Sequence, residues 1–392
     1  MNLSSVEFDV VIMGAGLVGA SLAAGLRGTG LRVAVVEPAA PPAVEHDGWD
    51  SRVYAISPGS VRFLESCGAW QRLDAARLQP VLDMHVWGDD GVSRLDFSSL
   101  EIGRPNLAWI VEGRRLQAAL WNALAEDEET TLLCPGSCAS IAREEGHAEI
   151  TLAGGRRLDA KLVVGADGAE SWVRRQAGIA ADSQPYGQLG VVANFLCARP
   201  HGSVARQWFR RDGVLALLPL PGDRVSMVWS TWETQARVLI SIPGEALCEQ
   251  VREASHDALG HLSLLTPAAG FPLRRVKVER LVAPRVALIG DAAHVVHPLA
   301  GQGVNLGFRD ARELATVLRE RGPVADCGGL ALLRRYERAR KEDVLSMMLT
   351  TDGLQKLFNS DLPTLAAIRN WGLRLSGRIG PVRSLLTQHA VG

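Results

Sequence analysis

Apolar residues in this chain gather into short unbroken blocks in some stretches and alternate with polar residues in others. Phe8–Met13, Arg32–Glu37, Leu162–Val164 and Val286–Ile289 are nearly continuous blocks and predict short buried strands. Ala20–Arg27, Arg114–Ala125 and Phe308–Leu318 carry a helical pattern. Beyond Leu318 the chain reads as helical throughout, with Leu332–Met348 a dense mix of Arg, Glu and Leu. Met84–Trp87 and Arg94–Phe97 alternate around Asp89-Asp90-Gly91, which predicts a hairpin. Glu149–Leu152 and Arg157–Ala160 predict a second hairpin around Gly154-Gly155. From about Asp182 the texture turns to strands: Gly190–Leu196, Val204–Phe209, Gly213–Leu218 and Arg224–Thr231, separated by Pro-Gly or Arg-Asp-Gly turns. Gly244–Leu259 reads as a helix, and Phe271-Pro272-Leu273 restarts a strand. Trp208, Trp229 and Trp232 fall in this region; core packing is expected for at least two, with pocket lining the alternative.

Two glycine-rich turns interrupt this pattern where chemistry is expected. Strand 8–13 leads into Gly14-Ala15-Gly16-Leu17-Val18-Gly19, then a helix, then a strand ending in Glu37. That is a dinucleotide-binding βαβ fingerprint in its proper context. Gly14 is expected to permit a tight turn, Gly16 to let backbone reach a pyrophosphate, and Gly19 to let helix and strand pack closely. Glu37 is placed to grip an adenosine ribose, whether of FAD or of NAD. The second turn, Gly290–Gly307, joins the 286–289 strand to a helix and holds Asp291, Pro298, Gly301, Gly303 and Asn305. Glycine lets a ligand approach the main chain, and free N–H groups at a helix start attract negative charge. This stretch is built to hold a polar ligand at one end and an anion at the other.

Composition narrows the class. At 392 residues the chain exceeds one ordinary domain, and 47% apolar residues suit a large core. A formal net charge of -1 argues against a general nucleic-acid binder. The six cysteines form no Cys-x-x-Cys pair, so reduced, mostly buried thiols in a cytosolic protein are expected. No carboxylate-histidine cluster indicates a metal. Val10–Ala24 is apolar but broken by Gly14, Gly16 and Gly19, so neither a signal peptide nor a membrane span is expected there.

The second turn resembles the Gly-Asp motif of class A flavoprotein hydroxylases, the group that includes para-hydroxybenzoate hydroxylase. In detail, His297-Pro298-Leu299-Ala300-Gly301-Gln302-Gly303-Val304-Asn305-Leu306-Gly307-Phe308-Arg309-Asp310 is similar to the signature of the ubiquinone-biosynthesis hydroxylases. Leu162–Arg174 resembles the family's Asp-Gly motif, with Asp167, Gly168, Ser171 and Arg174 at matching spacing. Asp50–Ser57 resembles its arginine-bearing segment, with Arg52 directed at the flavin and its phosphates. Trp109–Glu112 is similar to its Ile-Val-Glu-Asn segment, but Gly113 stands where asparagine is usual. Arg114 is then the candidate for the flavin contact that the asparagine makes. Val225–Ser230 and Phe271–Leu273 resemble substrate-domain elements, so the likeness runs along the whole chain.

The resemblance implies an α/β fold: a Rossmann-like FAD-binding domain with an inserted β-sheet substrate domain and a helical C-terminus. The expected division is 1–75, 101–182 and 275–340 for FAD, 76–100 and 183–274 for substrate, and 341–392 as a helical segment. The residues it assigns to FAD are Gly14, Gly16, Gly19, Glu37, Arg52, Arg114, Asp167, Gly168, Asp291, Pro298, Gly301, Gly303, Val304 and Asn305, with no metal. No catalytic side chain is assigned beyond the flavin, and His294 and His297 are read as structural. The implied activity is an FAD monooxygenase using NADH or NADPH and O2, acting through a flavin hydroperoxide on the ring of a polyprenylated phenol in ubiquinone biosynthesis. A soluble aromatic metabolite as substrate, a prenyl-chain flavoprotein reductase and a non-enzymatic NAD-binding module stand as alternatives. The implied location is cytoplasmic, with peripheral attachment to the inner membrane or to a biosynthetic complex as a further option. The tail bears on that option: from Asp361 it carries Arg369, Arg374, Arg378 and Arg383, a formal +3, beside a helically spaced apolar stripe. A terminal helix packed on the FAD domain is the preferred reading of that tail.

Overall fold

The unbroken apolar blocks become neighbouring parallel strands of one sheet. In the computed structural model, which describes residues 7–44, 48–90, 93–297, 301–322 and 324–358, that sheet has eight strands. Phe8–Met13 lies at its centre, between Val33–Val36 and Arg157–Gly165, both parallel to it. Thr130–Leu133 extends the sheet beyond 33–36, and Val286–Leu288 joins on the other side. The Gly154-Gly155 hairpin forms as expected, adding Ala148–Leu152 and then Cys138–Arg143. Strands buried on both faces need no alternation, and every residue of 8–13 and of 33–36 is buried. Helix Leu17–Gly25 packs between Gly303–Arg319 and Gly113–Ala125, completing the expected βαβ unit.

The alternating region builds a second, nine-stranded sheet. Its longest member, Ala181–Cys197, pairs with Arg224–Trp232 on one side and Ala269–Val278 on the other. Gly213–Leu220 and Val204–Arg210 follow in antiparallel order. The hairpin of Asp83–Trp87 and Arg94–Ser98 closes that edge, with 83–87 parallel to 204–210. Thus residues far apart in sequence share this sheet. Its outer face packs on helices Glu233–Ser241, which the hydrophobic pattern did not separate from the preceding strand, and Gly244–Ala254. Trp208 and Trp229 are buried in that core, and Trp208 stacks on Trp87 at 4.9 Å; Trp232 is exposed. A small sheet of Val53–Ile56, Ala108–Glu112 and Gln79–Val81 bridges the two larger ones.

Helix Leu330–Phe358 continues without a break across residues 340 and 341, where the sequence suggested a boundary. The basic tail from Asp361 lies outside the described residues. All six cysteines are free thiols, four of them buried. Among the described residues no helix is long and apolar enough to cross a membrane, and no His/Cys/Asp/Glu group is arranged to hold a metal.

Candidate active site

A cavity of about 680 Å³ lies between the parallel sheet and the nine-stranded sheet. The two glycine turns form one wall, and the sheet's inner face forms the other. The fingerprint glycines divide their work by position. Gly14 has φ +102°, and a Cβ there would lie 2.5 Å from the Ala166 carbonyl oxygen. A Cβ at Gly19 would fall 2.0 Å from the Gly14 carbonyl oxygen, so only glycine lets the helix start so close to the strand. Gly16 differs: no protein atom lies within 4 Å of its would-be Cβ, and the residue lines the cavity. Its bare backbone is therefore a surface for a ligand. The Glu37 carboxylate accepts from the Ala15 N–H at 2.6 Å, fixing the turn against the end of the second strand.

The second turn shows the same division. Gly290 and Gly301 adopt left-handed φ of +59° and +60°. Gly307 packs on Val18, where a Cβ would come within 2.5 Å, holding the two helices together. Gly303 opens helix 303–319, has free space at its would-be Cβ, and lines the cavity beside Gly301, Gln302 and Val304. The positive end of a helix thus faces the cavity. Pro298 lies outside the described residues. The Asp291 side chain opens into the cavity yet is hemmed in by protein, so desolvation lifts its carboxyl above the usual carboxylate value, against the pull of His294, Arg52 and Arg274.

Three of the sequence-selected side chains point elsewhere. The Asp167 carboxylate accepts from the Ser171 hydroxyl and from the N–H groups of Trp172 and Val173, so it caps the short helix 172–176; Gly168, next to it, lines the cavity. Asn305 is fully buried: it accepts from the Ser57 N–H at 2.9 Å and donates to the Ala55 carbonyl at 2.8 Å. It ties helix 303–319 to the small sheet and leaves the ligand-facing role to its neighbours. Arg114 is exposed and lies 3.9 Å from Asp50; Arg52 does line the cavity. A Cβ at Gly113 would press on the Arg52 carbonyl and the Tyr54 ring at 3.1 Å, which accounts for the missing asparagine. One turn along that helix, Gln117 lines the cavity and donates to the Ala15 carbonyl at 2.7 Å. Sequence reasoning passed over Gln117, although its i+4 spacing from Gly113 was the available signal.

Behind the second turn lies a buried charge cluster. Asp310 accepts from His294 at 2.6 Å, from the Gly290 N–H at 2.9 Å and from Arg340 at 2.7 Å. Burial alone would raise the Asp310 carboxyl, but His294 and Arg340 hold it below its ordinary value. Arg174 is buried as well, donating to the carbonyls of Ala292 and Ala169 and joining the Asp-Gly segment to the Asp291 turn. His297 bonds Gln188 at 3.1 Å and meets the Tyr186 ring edge-on. Both histidines are thus held in structural contacts.

The arrangement suits an extended dinucleotide carrying a ring that becomes anionic on reduction. Gly16 and Gly303 are a cradle that a side chain would fill, and Arg52 and Asp291 stand along it, while Glu37 lies outside the cavity lining, bonded to the Ala15 N–H. Comparison with known proteins points to FAD as that dinucleotide. The family model described as FAD binding domain matches residues 7–350. Ubiquinone hydroxylase UbiL of Rhodospirillum rubrum is 36% identical, over 98% of this chain and 89% of that protein. The 3-demethoxyubiquinol 3-hydroxylase of Escherichia coli is 36% identical, over 98% of each chain. Among solved structures, PqsL of Pseudomonas aeruginosa in complex with 2-aminobenzoylacetate superposes with a TM-score of 0.78 at 25% identity, over 93% of this chain and 99% of that one.

Proposed function

The chain belongs to the FAD binding domain family of aromatic hydroxylases, and from that premise we propose that it hydroxylates the ring of a polyprenylated phenol in ubiquinone biosynthesis. It is an FAD-dependent monooxygenase, with NAD(P)H and O2 as co-substrates. The observation that carries the substrate assignment is a cavity whose glycine cradle opens into an apolar chamber, in a chain similar over 98% of its length to a 3-demethoxyubiquinol 3-hydroxylase.

Bound FAD supplies the electron transfer and the oxygen activation; the protein's part is placement. In this reading Gly14–Gly19 admits the pyrophosphate, Glu37 the adenosine ribose, and Asp291 the ribityl chain. The N–H groups at the start of helix 303–319 stabilise negative charge on the ring by about 0.3–2 kcal/mol. Gly168 and Arg52 complete the pocket. We assign the parallel sheet to the cofactor, and the 83–98 hairpin with the 183–274 strands to the substrate. That apolar sheet excludes water from the reacting atoms. The test is direct: FAD-loaded protein, NAD(P)H and a short-chain prenylphenol should consume oxygen and yield a product heavier by one oxygen atom. Oxygen uptake without a hydroxylated ring, or a saturated prenyl chain, refutes the proposal.

A further inference from the structure

Three adjacent strands of the sheet wall are almost wholly apolar where they face the cavity, and their exceptions are informative. Strands 204–210, 213–220 and 224–232 present Ala205, Val214, Ala216, Leu218 and Val228 to the chamber. Two polar side chains stand among them, Gln207 and Ser230. Gln207 lies opposite Ala216, and Ser230 opposite Val214, so one strand separates them on the same inner face. Gln207 is 7% exposed and Ser230 4%. Neither side chain has a hydrogen-bond partner among the described residues. A ligand that fills the chamber and excludes water from that amide incurs a cost unless it completes the hydrogen bond itself.

Charge is distributed the other way. The charged residues lining the cavity are Arg52, Arg274 and Asp291, and they gather at the cradle end, where both arginines act on the Asp291 carboxyl. Arg274 is also paired with Glu170. None of the three strands carries a cation into the chamber. A carboxylate buried against these three strands would be unpaired, at a large desolvation cost. A neutral oxygen substituent suits the wall: the Gln207 amide accepts from a ring hydroxyl or donates to a methoxy oxygen.

We propose that Gln207, seconded by Ser230, is the specificity anchor of the chamber, and that it selects rings bearing neutral hydroxyl or methoxy groups over rings bearing a carboxylate. The inference rests on the hydroxylase reading above and refines it. It also places the reaction after the ring's carboxyl group, if it had one, has been removed.

The experiment uses FAD-loaded protein and three probes: 2-geranylphenol, geranylbenzene without the oxygen, and 3-geranyl-4-hydroxybenzoate. Affinity is read from perturbation of the flavin absorption spectrum. The phenol should bind about tenfold more tightly than geranylbenzene, the worth of one buried hydrogen bond, and at least tenfold more tightly than the benzoate. In Gln207→Leu the phenol-to-geranylbenzene ratio should fall to about one, while geranylbenzene binds as before. Should that variant fail to retain FAD, Gln207→Asn withdraws the amide by one methylene and should lower the same ratio at least threefold. A ratio unchanged in the variant, with hydroxylated phenol still formed, overturns the anchor alone. Tighter binding of the benzoate than of the phenol overturns the neutral-ring selection. Absence of a hydroxylated product from every probe overturns the underlying hydroxylase reading and this inference with it.

Discussion

Asp310→Asn removes one charge from the centre of the buried cluster while keeping the side-chain shape. Asp310 is fully buried, and its two oxygens receive the Gly290 N–H, His294 and Arg340. Breaking a buried pair by neutralising one partner costs about 3–5 kcal/mol, because the other charge stays buried. Here Arg340 keeps a second contact, to Asp343 at 2.7 Å, so the lower end, about 3 kcal/mol, is expected. That is a large part of a typical stability of about 5–15 kcal/mol. Urea unfolding of FAD-loaded protein, followed by circular dichroism, measures it. The Asp310 carboxyl is held below its ordinary value, so its stabilisation is present above the unfolded-state pKa of about 4 and is lost as pH falls through the folded value. The deficit of the variant should therefore be full at neutral pH and shrink below about pH 4. Adding Arg340→Met should recover part of the loss, since no buried guanidinium then lacks its partner. A single-variant loss below about 1 kcal/mol, or strictly additive losses in the double variant, would refute the reasoning.

Four further substitutions probe the cradle and its turn. Gly16→Val meets no protein atom, so it should fold with normal circular dichroism yet purify without flavin absorbance near 450 nm; Gly19→Val meets the Gly14 carbonyl and should fail to fold. Glu37→Ala frees the Ala15 N–H and removes the proposed ribose contact; a rise in the FAD dissociation constant of about three- to tenfold is expected, and an unchanged constant counts against the role. Asp291→Asn removes a carboxyl whose charge is penalised by its surroundings, so the FAD-free protein should gain stability at neutral pH while FAD affinity drops. Equal or tighter FAD binding in that variant, by fluorescence titration, would show the carboxylate has no part in holding the cofactor.

Local pattern was enough to reveal the parallel strands, both hairpins, the glycine fingerprint and the family, because each of these depends on residues near in sequence. Backbone conformation at Gly14, close packing at Gly19 and a helix start at Gly303 are local constraints, and they leave local marks. What tertiary structure alone decided is which way polar side chains face. Asp167 and Asn305 sit in motifs with ligand-binding associations, yet their hydrogen bonds close on Trp172, Ser57 and Ala55, because backbone groups there were nearer than the cavity. Arg114 and Gln117 share one helix, and only its docking angle set Gln117 toward the Ala15 turn and Arg114 toward solvent. Gln207 in sequence is one polar residue in an alternating strand. Only the pairing of 204–210 between 213–220 and 83–87, and the stacking of that sheet over the cradle, turned it into an amide facing an apolar chamber. Strand alternation fixes that residues 205 and 207 share a face, but the partner that covers the face is a contact between distant parts of the chain, and no local pattern encodes it.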